Sequence, residues 1–364
     1  MQHTGLQLAA VLVSVFPISG SAMKSCDRRW IVAVVVLGLA GISRVSAQTA
    51  LLDPKLFSEM RWREIGPMRA GRTRALAGVR SQPATFYFGA VNGGVWKTTD
   101  AGATWQSLWD KQPTGSIGSI AVAESDPNVV YVASGEGLAR PDLSTGDGVY
   151  RSNDAGKSWT HLGSEGGAGG EVADDLRKGQ QIGQVAVDPK DANRVFVAVT
   201  GHPYGPNKER GIYRTTDGGK SFRKVLYINE RTGGSDVQID PQDPRIVYAG
   251  MWQRQEGPWE NGAWSGTDGG LFRSADGGET WTKLTGHGLP DDIIQANVTI
   301  AQSDSKRVYV AAATQKGPVG LYRSDDSGAT WVHAPENDNR AEGRIGGGTC
   351  RYRKPTRGTP TLYM

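Results

Sequence analysis

Short apolar segments with every second position polar run through most of the chain, separated by clusters of Gly, Asp, Asn, Ser and Pro. That period of two belongs to half-buried β-strands, and long helical periodicity is scarce. The segments Gly93–Thr98 (GGVWKT), Gly148–Ser152 (GVYRS), Gly211–Thr215 (GIYRT), Gly270–Ser274 (GLFRS) and Gly320–Ser324 (GLYRS) are near-copies of one another. Each runs into an octapeptide: TTDAGATW (Thr98–Trp105), SNDAGKSW (Ser152–Trp159), TTDGGKSF (Thr215–Phe222), SADGGETW (Ser274–Trp281) and SDDSGATW (Ser324–Trp331). A further short alternating segment follows each copy, so the octapeptide is expected to be a hairpin turn. Its Asp can accept bonds from backbone N–H groups, its Gly can adopt a conformation other residues resist, and its Trp or Phe can plug the turn.

A second pattern precedes each octapeptide from the second copy onward: 117–134, 182–200, 237–250 and 298–313. Each reads as a strand, a polar turn often carrying Asp-Pro, and an apolar strand. With the octapeptide hairpin this makes four strands per repeat. Four-stranded sheets repeated around an axis are propeller blades. One such unit cannot bury both faces alone, so it needs a neighbour on each side. The expected fold is all-β, a β-propeller of five full blades plus a partial sixth, in a ring that is open or poorly closed. The N-terminal segment Arg61–Ile65 (RWREI) resembles the strand after an octapeptide, as in TWTKL at 280–284, and is expected to contribute to a closing blade. No sixth octapeptide follows Trp331, and 349–364 reads as a truncated or aberrant tail.

The octapeptides resemble the BNR/Asp-box repeats of sialidases, xyloglucan-cleaving glycoside hydrolases, the sortilin luminal domain and photosystem II assembly-factor propellers. The chain is most similar overall to large exported bacterial BNR-repeat proteins of glycosyl-hydrolase-like or sortilin-N-terminal-like type. Residues 61–72, 201–222 and 251–259 carry that likeness. The resemblance covers about 60–348 and implies the propeller; the same repeat serves hydrolases, receptors and assembly factors.

The chain has 364 residues, with 41 basic and 37 acidic side chains. Residues 1–47 read as a leader rather than fold: Lys24, Arg28 and Arg29 precede an apolar run from Trp30 to Ile42, followed by Val45-Ser46-Ala47. This predicts export with cleavage after Ala47, residues 1–22 being an upstream extension. The run is shorter than the roughly 20 residues of a membrane span. Between 48 and 350 the balance is 33 basic to 36 acidic, so no basic face for nucleic acid is expected. Cys26 lies in the leader and Cys350 stands alone in the remainder, which excludes an internal disulfide there. No Cys/His spacing suggests a metal site, and no cofactor motif is present; GGAGG at 166–170 is loop chemistry. The expected domains are a leader (1–47), the propeller (48–348) and the tail (349–364).

Five octapeptide aspartates lying in the same turn of different blades cannot converge on one substrate. Asp100, Asp154, Asp217, Asp276 and Asp326 are therefore assigned structural roles, with Trp105, Trp159, Phe222, Trp281 and Trp331. The long loops fall on the opposite face: Ser134–Asp147, Thr200–Arg210 and Met251–Gly269. The last places Trp252, Trp259 and Trp264 outside any strand, among Arg254 and Glu256, where aromatic rings suit sugar or peptide docking. With His202, Tyr204, Glu136 and Arg72 they form the candidate ligand-binding set. Arg69, Arg72 and Arg74 lie on one segment, unlike the three arginines that sialidases deliver from separate blades. In xyloglucan hydrolases a catalytic Asp precedes a Gly-Gly-aromatic stretch in the first blade. Here Val91 holds that position in AVNGGVWK (Ala90–Lys97), and the second propeller that brings the partner carboxylate is absent. The sequence thus points to a non-catalytic module recognising glycan or protein. The alternatives are a xyloglucanase-like glycoside hydrolase and a sortilin-like receptor domain.

Overall fold

The computed structural model describes residues 72–137, 143–162, 176, 181–256, 263–315 and 319–334. Within them lie five four-stranded antiparallel sheets. The first holds β1 (Thr73–Gly78), β2 (Phe86–Ala90), β3 (Gly94–Thr98) and β4 (Gln106–Ser107). The second holds β5 (Ile117–Val122), β6 (Val130–Ser134), β7 (Val149–Ser152) and β8 (Thr160–His161). The third holds β9 (Ile182–Val187), β10 (Val195–Val199), β11 (Gly211–Thr215) and β12 (Arg223–Leu226). The fourth holds β13 (Thr232–Ile239), β14 (Val247–Glu256), β15 (Ala263–Ser274) and β16 (Thr282–Leu284). The fifth holds β17 (Ile293–Ile300), β18 (Val308–Thr314), β19 (Gly320–Ser324) and β20 (Val332–His333). The strands pair in chain order within each sheet, the simplest result of four strands joined by tight turns. This is the expected propeller of five full blades. The leader, Arg61–Ile65, GGAGG, Arg69, Trp259 and the tail lie outside the described residues.

The first strands of the blades, β1, β5, β9, β13 and β17, are neighbours in that order around the axis. A Cβ on Gly118 would sit 2.3 Å from Ile182 O, and one on Gly183 2.5 Å from Ser235 O, so only glycine allows this approach. Polar side chains of the inner strands satisfy amides of the next blade. Val185 N donates to Ser119 Oγ at 3.1 Å and Val298 N to Asp236 Oδ2 at 2.7 Å. Arg74 of the first blade reaches Gly183 O of the third at 3.4 Å. Apolar clusters fill the spaces between adjacent sheets, as when Val132 and Tyr150 pack with Val95 and Trp109.

Every octapeptide folds alike. In the second, Ser152 Oγ donates to Asp154 Oδ1 at 2.7 Å and receives the amide of Gly156 at 2.8 Å. Ser158 gives its N–H to Asp154 Oδ1 at 2.9 Å and its hydroxyl to Oδ2 at 2.6 Å. The other four copies repeat the bond from hydroxyl to Asp Oδ2 at 2.5–2.6 Å. Two successive residues turn left-handed, for example Ala155 (φ 58°) and Gly156 (φ 91°), which the Asp side chain holds in place. Asp154→Ala is expected to lower unfolding free energy by about 1–2 kcal/mol, the modest value for a half-hydrated turn. A urea titration with unchanged slope checks this.

The octapeptide turns of the second to fifth blades are also sockets for the preceding blade. Tyr87 Oη and Lys97 Nζ both donate to Ala155 O, at 3.2 and 3.3 Å. Arg151 donates to Gly218 O at 3.1 Å, Arg214 to Gly277 O at 2.7 Å, and Tyr248 to Ser327 O at 2.7 Å. The acceptor is always the residue after the octapeptide Asp. In every blade the register sets an aromatic of the second strand opposite a cation of the third: Tyr87↔Lys97, Tyr131↔Arg151, Phe196↔Arg214, Tyr248↔Arg273 and Tyr309↔Arg323. The observed donors are drawn from these pairs: Tyr87 with Lys97, Arg151, Arg214 and Tyr248, while Tyr131 donates to Ala192 O.

The fourth blade departs from expectation. Trp252 and Trp264, expected outside any strand, lie in β14 and β15, which extend the blade as a long hairpin arm. The ladder continues where a loop was expected, with Gly266 opposite Gln253, Ser265 opposite Arg254, Trp264 opposite Gln255 and Ala263 opposite Glu256.

Candidate functional site

The octapeptide turns occupy one rim. The turns joining second to third strands, and the connections between blades, occupy the other, and the candidate residues gather there in two clusters.

The first cluster joins the first three blades. Arg72 Nη2 donates to both oxygens of Glu136, at 2.8 and 3.0 Å, and Glu136 is fully buried. The loop carrying Glu136 is fixed by Gln181, whose Oε1 accepts the amides of Glu136 (2.6 Å) and Gly137 (3.1 Å), while its Nε2 donates to Ser144 O at 2.8 Å. Gly137 has φ 59°, and a Cβ there would meet Ile182 O at 2.3 Å. Val91 is buried in the β2–β3 turn beside this pair, its amide donating to Arg72 O at 2.8 Å. Glu136 is thus the internal partner of Arg72 and presents no free carboxylate to a ligand. Arg74, by contrast, points into the axis.

The second cluster binds the third blade to the hairpin arm of the fourth. His202 Nδ1 accepts the Tyr204 amide at 3.0 Å, and the two rings meet edge to face at 5.5 Å. Arg210, fully buried, donates to His202 O at 2.9 Å and Arg231 O at 3.2 Å, and burial pushes its guanidinium down to about 10. The Glu256 amide donates to Pro203 O at 2.8 Å, tying the arm to this loop. Arg254 lies over the Trp252 ring at 4.5 Å and donates to Glu256 Oε2 at 2.9 Å. Trp252 and Glu256 are both buried, and Trp252 Nε1 and Glu256 Oε1 find no hydrogen-bond partner among the described residues. Trp252 is therefore packed beneath Arg254 and is not an open stacking platform.

Sequence reasoning missed Gln181, Arg210 and Asp268. Asp268 is exposed on β15, and its Oδ2 accepts from Gln253 Nε2 (2.7 Å) and Asn229 Nδ2 (2.8 Å). Nothing local marks these residues, because their partners come from other strands or other blades. Among the described residues no three His, Cys, Asp or Glu side chains converge as a metal site, and no helix is long and apolar enough to cross a membrane. The exposed surface offers amides, a held carboxylate and ring edges, groups suited to hydroxyl-rich ligands.

This architecture defines a β-propeller. No family model matches the chain. It is 30% identical over 257 residues to a xyloglucanase from a Paenibacillus species, covering 64% of this chain and 22% of that protein. Over 263 residues it is 26% identical to the xyloglucanase Xgh74A of Acetivibrio thermocellus, covering 62% and 27%. The chain spans about a quarter of the length of these relatives. Among solved structures, an ancestral GH74 enzyme superposes with TM-score 0.55 at 17% identity, covering 75% of this chain and 32% of that one. The GH74 enzyme of Niastella koreensis gives 0.51 at 21%, covering 72% and 38%. These structures support the fold. The named xyloglucanases overturn the expectation of a non-catalytic glycan- or protein-binding module, because the relatives sharing this sequence are named as enzymes.

Proposed function

We propose that the chain is the substrate-holding propeller of an exported, xyloglucanase-like glycoside hydrolase of the Asp-box class. The observation that carries the reading is the 30% identity over 257 residues to a xyloglucanase. The five octapeptides and the long-loop face support it. The polysaccharide chain lies across the face built by the 200–210 loop and the β14–β15 arm, where His202, Tyr204 and Asp268 supply polar and aromatic contacts. Val91 brings no carboxylate to the β2–β3 turn, so the acid and base of hydrolysis have to come from other carboxylates than the one the resemblance places there. Asp268, exposed and oriented by two amides, is a candidate on this face.

The test is incubation of the secreted chain with xyloglucan and measurement of new reducing ends. Release of oligosaccharides, lost in Asp268→Asn with the melting temperature unchanged, is the expected result. Mass spectrometry of the same preparation is expected to place its N-terminus at Gln48. No reducing ends and no retardation in xyloglucan affinity gels would sink the hydrolase reading; an intact leader would sink the export reading.

A further inference from the structure

The AVNGGVWK stretch holds chemistry that the proposed function leaves unused. Residues 90–93 form the tight turn between β2 and β3. Asn92 sits in it with φ 61°, a left-handed conformation that Asn tolerates better than most side chains. The residue is exposed, and its side-chain amide makes no hydrogen bond with the described residues. Asn128, Asn207 and Asn229, by contrast, hold their amides by donating to Asp126, His202 O and Asp268. Among the described residues Asn92 is also the one asparagine followed by glycine.

The backbone around it is held unevenly. Val91 N donates to Arg72 O at 2.8 Å and Gly94 N to Gly115 O at 2.9 Å, so both ends of the turn are anchored to other segments. The Gly93 amide between them reaches Ala90 O only at 3.3 Å, beyond the usual range for such a bond. Gly93 therefore offers a loosely held nitrogen, with no side chain over it, next to an exposed carboxamide.

We propose that Asn92 is a modification site, deamidating through Gly93 to place an aspartate carboxylate in the β2–β3 turn. The Gly93 nitrogen attacks Asn92 Cγ and gives up its proton. The Cγ–Nδ2 bond breaks, ammonia leaves, and a cyclic succinimide closes. Water then adds at Cγ and the ring N–Cγ bond breaks, so a proton returns to Gly93 N and a carboxylate remains. The balance is one carboxamide and one water to one carboxylate and one ammonium ion. Water attack at the other ring carbonyl gives isoaspartate, which inserts a methylene into the main chain. The anchors at Val91 and Gly94 hold the turn at its present length and so direct opening to aspartate, which keeps the same left-handed backbone. The charge arrives one residue from Val91, on the long-loop rim, in a turn that the sequence leaves without a carboxylate. The proposal is independent of the hydrolase reading, since it rests on the turn alone.

The test follows the full chain over days in mildly alkaline buffer, folded and in urea, by mass spectrometry of the tryptic peptide 81–97. Asn92 is the one asparagine in that peptide, and fragment masses separate it from Gln82. Electron-transfer fragments separate aspartate from isoaspartate. The folded chain is expected to convert within about tenfold of the rate in urea, as a turn that opens at little cost allows. Aspartate is expected to be the main product, its peptide co-eluting with that of Asn92→Asp. Gly93→Ala, at a residue outside the left-handed region, is expected to slow conversion at least about tenfold by crowding the attacking nitrogen. A folded rate further below that in urea, isoaspartate as the main product, or a rate that Gly93→Ala leaves unchanged would each overturn the proposal.

Discussion

Trp252→Ala is expected to destabilise the protein by about 3–5 kcal/mol, the range for removing a large aromatic from a packed site. The side chain is buried in β14 with the Arg254 guanidinium over its ring. Truncation removes the surface on which Arg254 rests and loosens the ion pair with Glu256. Trp252→Phe should cost far less, because it keeps most of the ring and removes an Nε1–H that has no acceptor among the described residues. Urea titrations of the three proteins measure the difference. If xyloglucan binding falls in Trp252→Ala while stability holds, the ring contacts ligand after all.

Stability is expected to peak between about pH 4 and 5 and to fall on both sides, for opposite reasons. Asp236 is buried at the axis, and burial pushes its carboxyl from 3.8 up to about 6, against the Val298 amide, Gln238 and Arg74, which favour the charged form. The folded state therefore holds this proton more tightly than the unfolded chain. The resulting stability is complete below about pH 4 and is lost as pH rises through about 6, at most roughly 3 kcal/mol. The octapeptide carboxylates behave oppositely. Hydrogen bonds from Thr104, Ser158 and Thr330 hold Asp100, Asp154 and Asp326 at about 2, so their contribution is present above about pH 4 and is lost in stronger acid. Asp236→Asn should flatten the profile between pH 4 and 7 and leave the acid limb alone. Melting temperatures measured across pH 2–8 test both limbs; an unchanged neutral limb in Asp236→Asn removes Asp236 as its source.

The blades were legible because the octapeptide is local: its Ser or Thr, Asp and Gly bond to one another within a few residues. The apolar alternation of VYVAS or VFVAV likewise marks a second strand without outside help. The hairpin arm was not legible. Its Gly, Ser and polar residues around Trp252 and Trp264 look like loop sequence until Gly266 is placed opposite Gln253. The candidate set mixed two kinds of residue for a related reason. Glu136 and Arg72 are 64 positions apart, and their pairing depends on how the first and second blades approach. Nothing local marked Asp236, since only Arg74 and the Val298 amide from other blades distinguish it. The lysine and arginines of GVWKT, GVYRS and GIYRT were visible as a repeated position, but their acceptors lie in the following repeat.

Because the second to fifth turns all offer the same acceptor, the carbonyl after the octapeptide Asp, the acceptor side of a junction carries no information about its place in the series. Blade number is then free to drift when repeats are copied or lost in the gene. An unequal exchange between two octapeptides would delete or insert a whole blade and still leave each surviving donor facing an acceptor. Such a protein can change the width of its ring, and with it the spacing of the loops on the opposite rim, without first inventing a new interface.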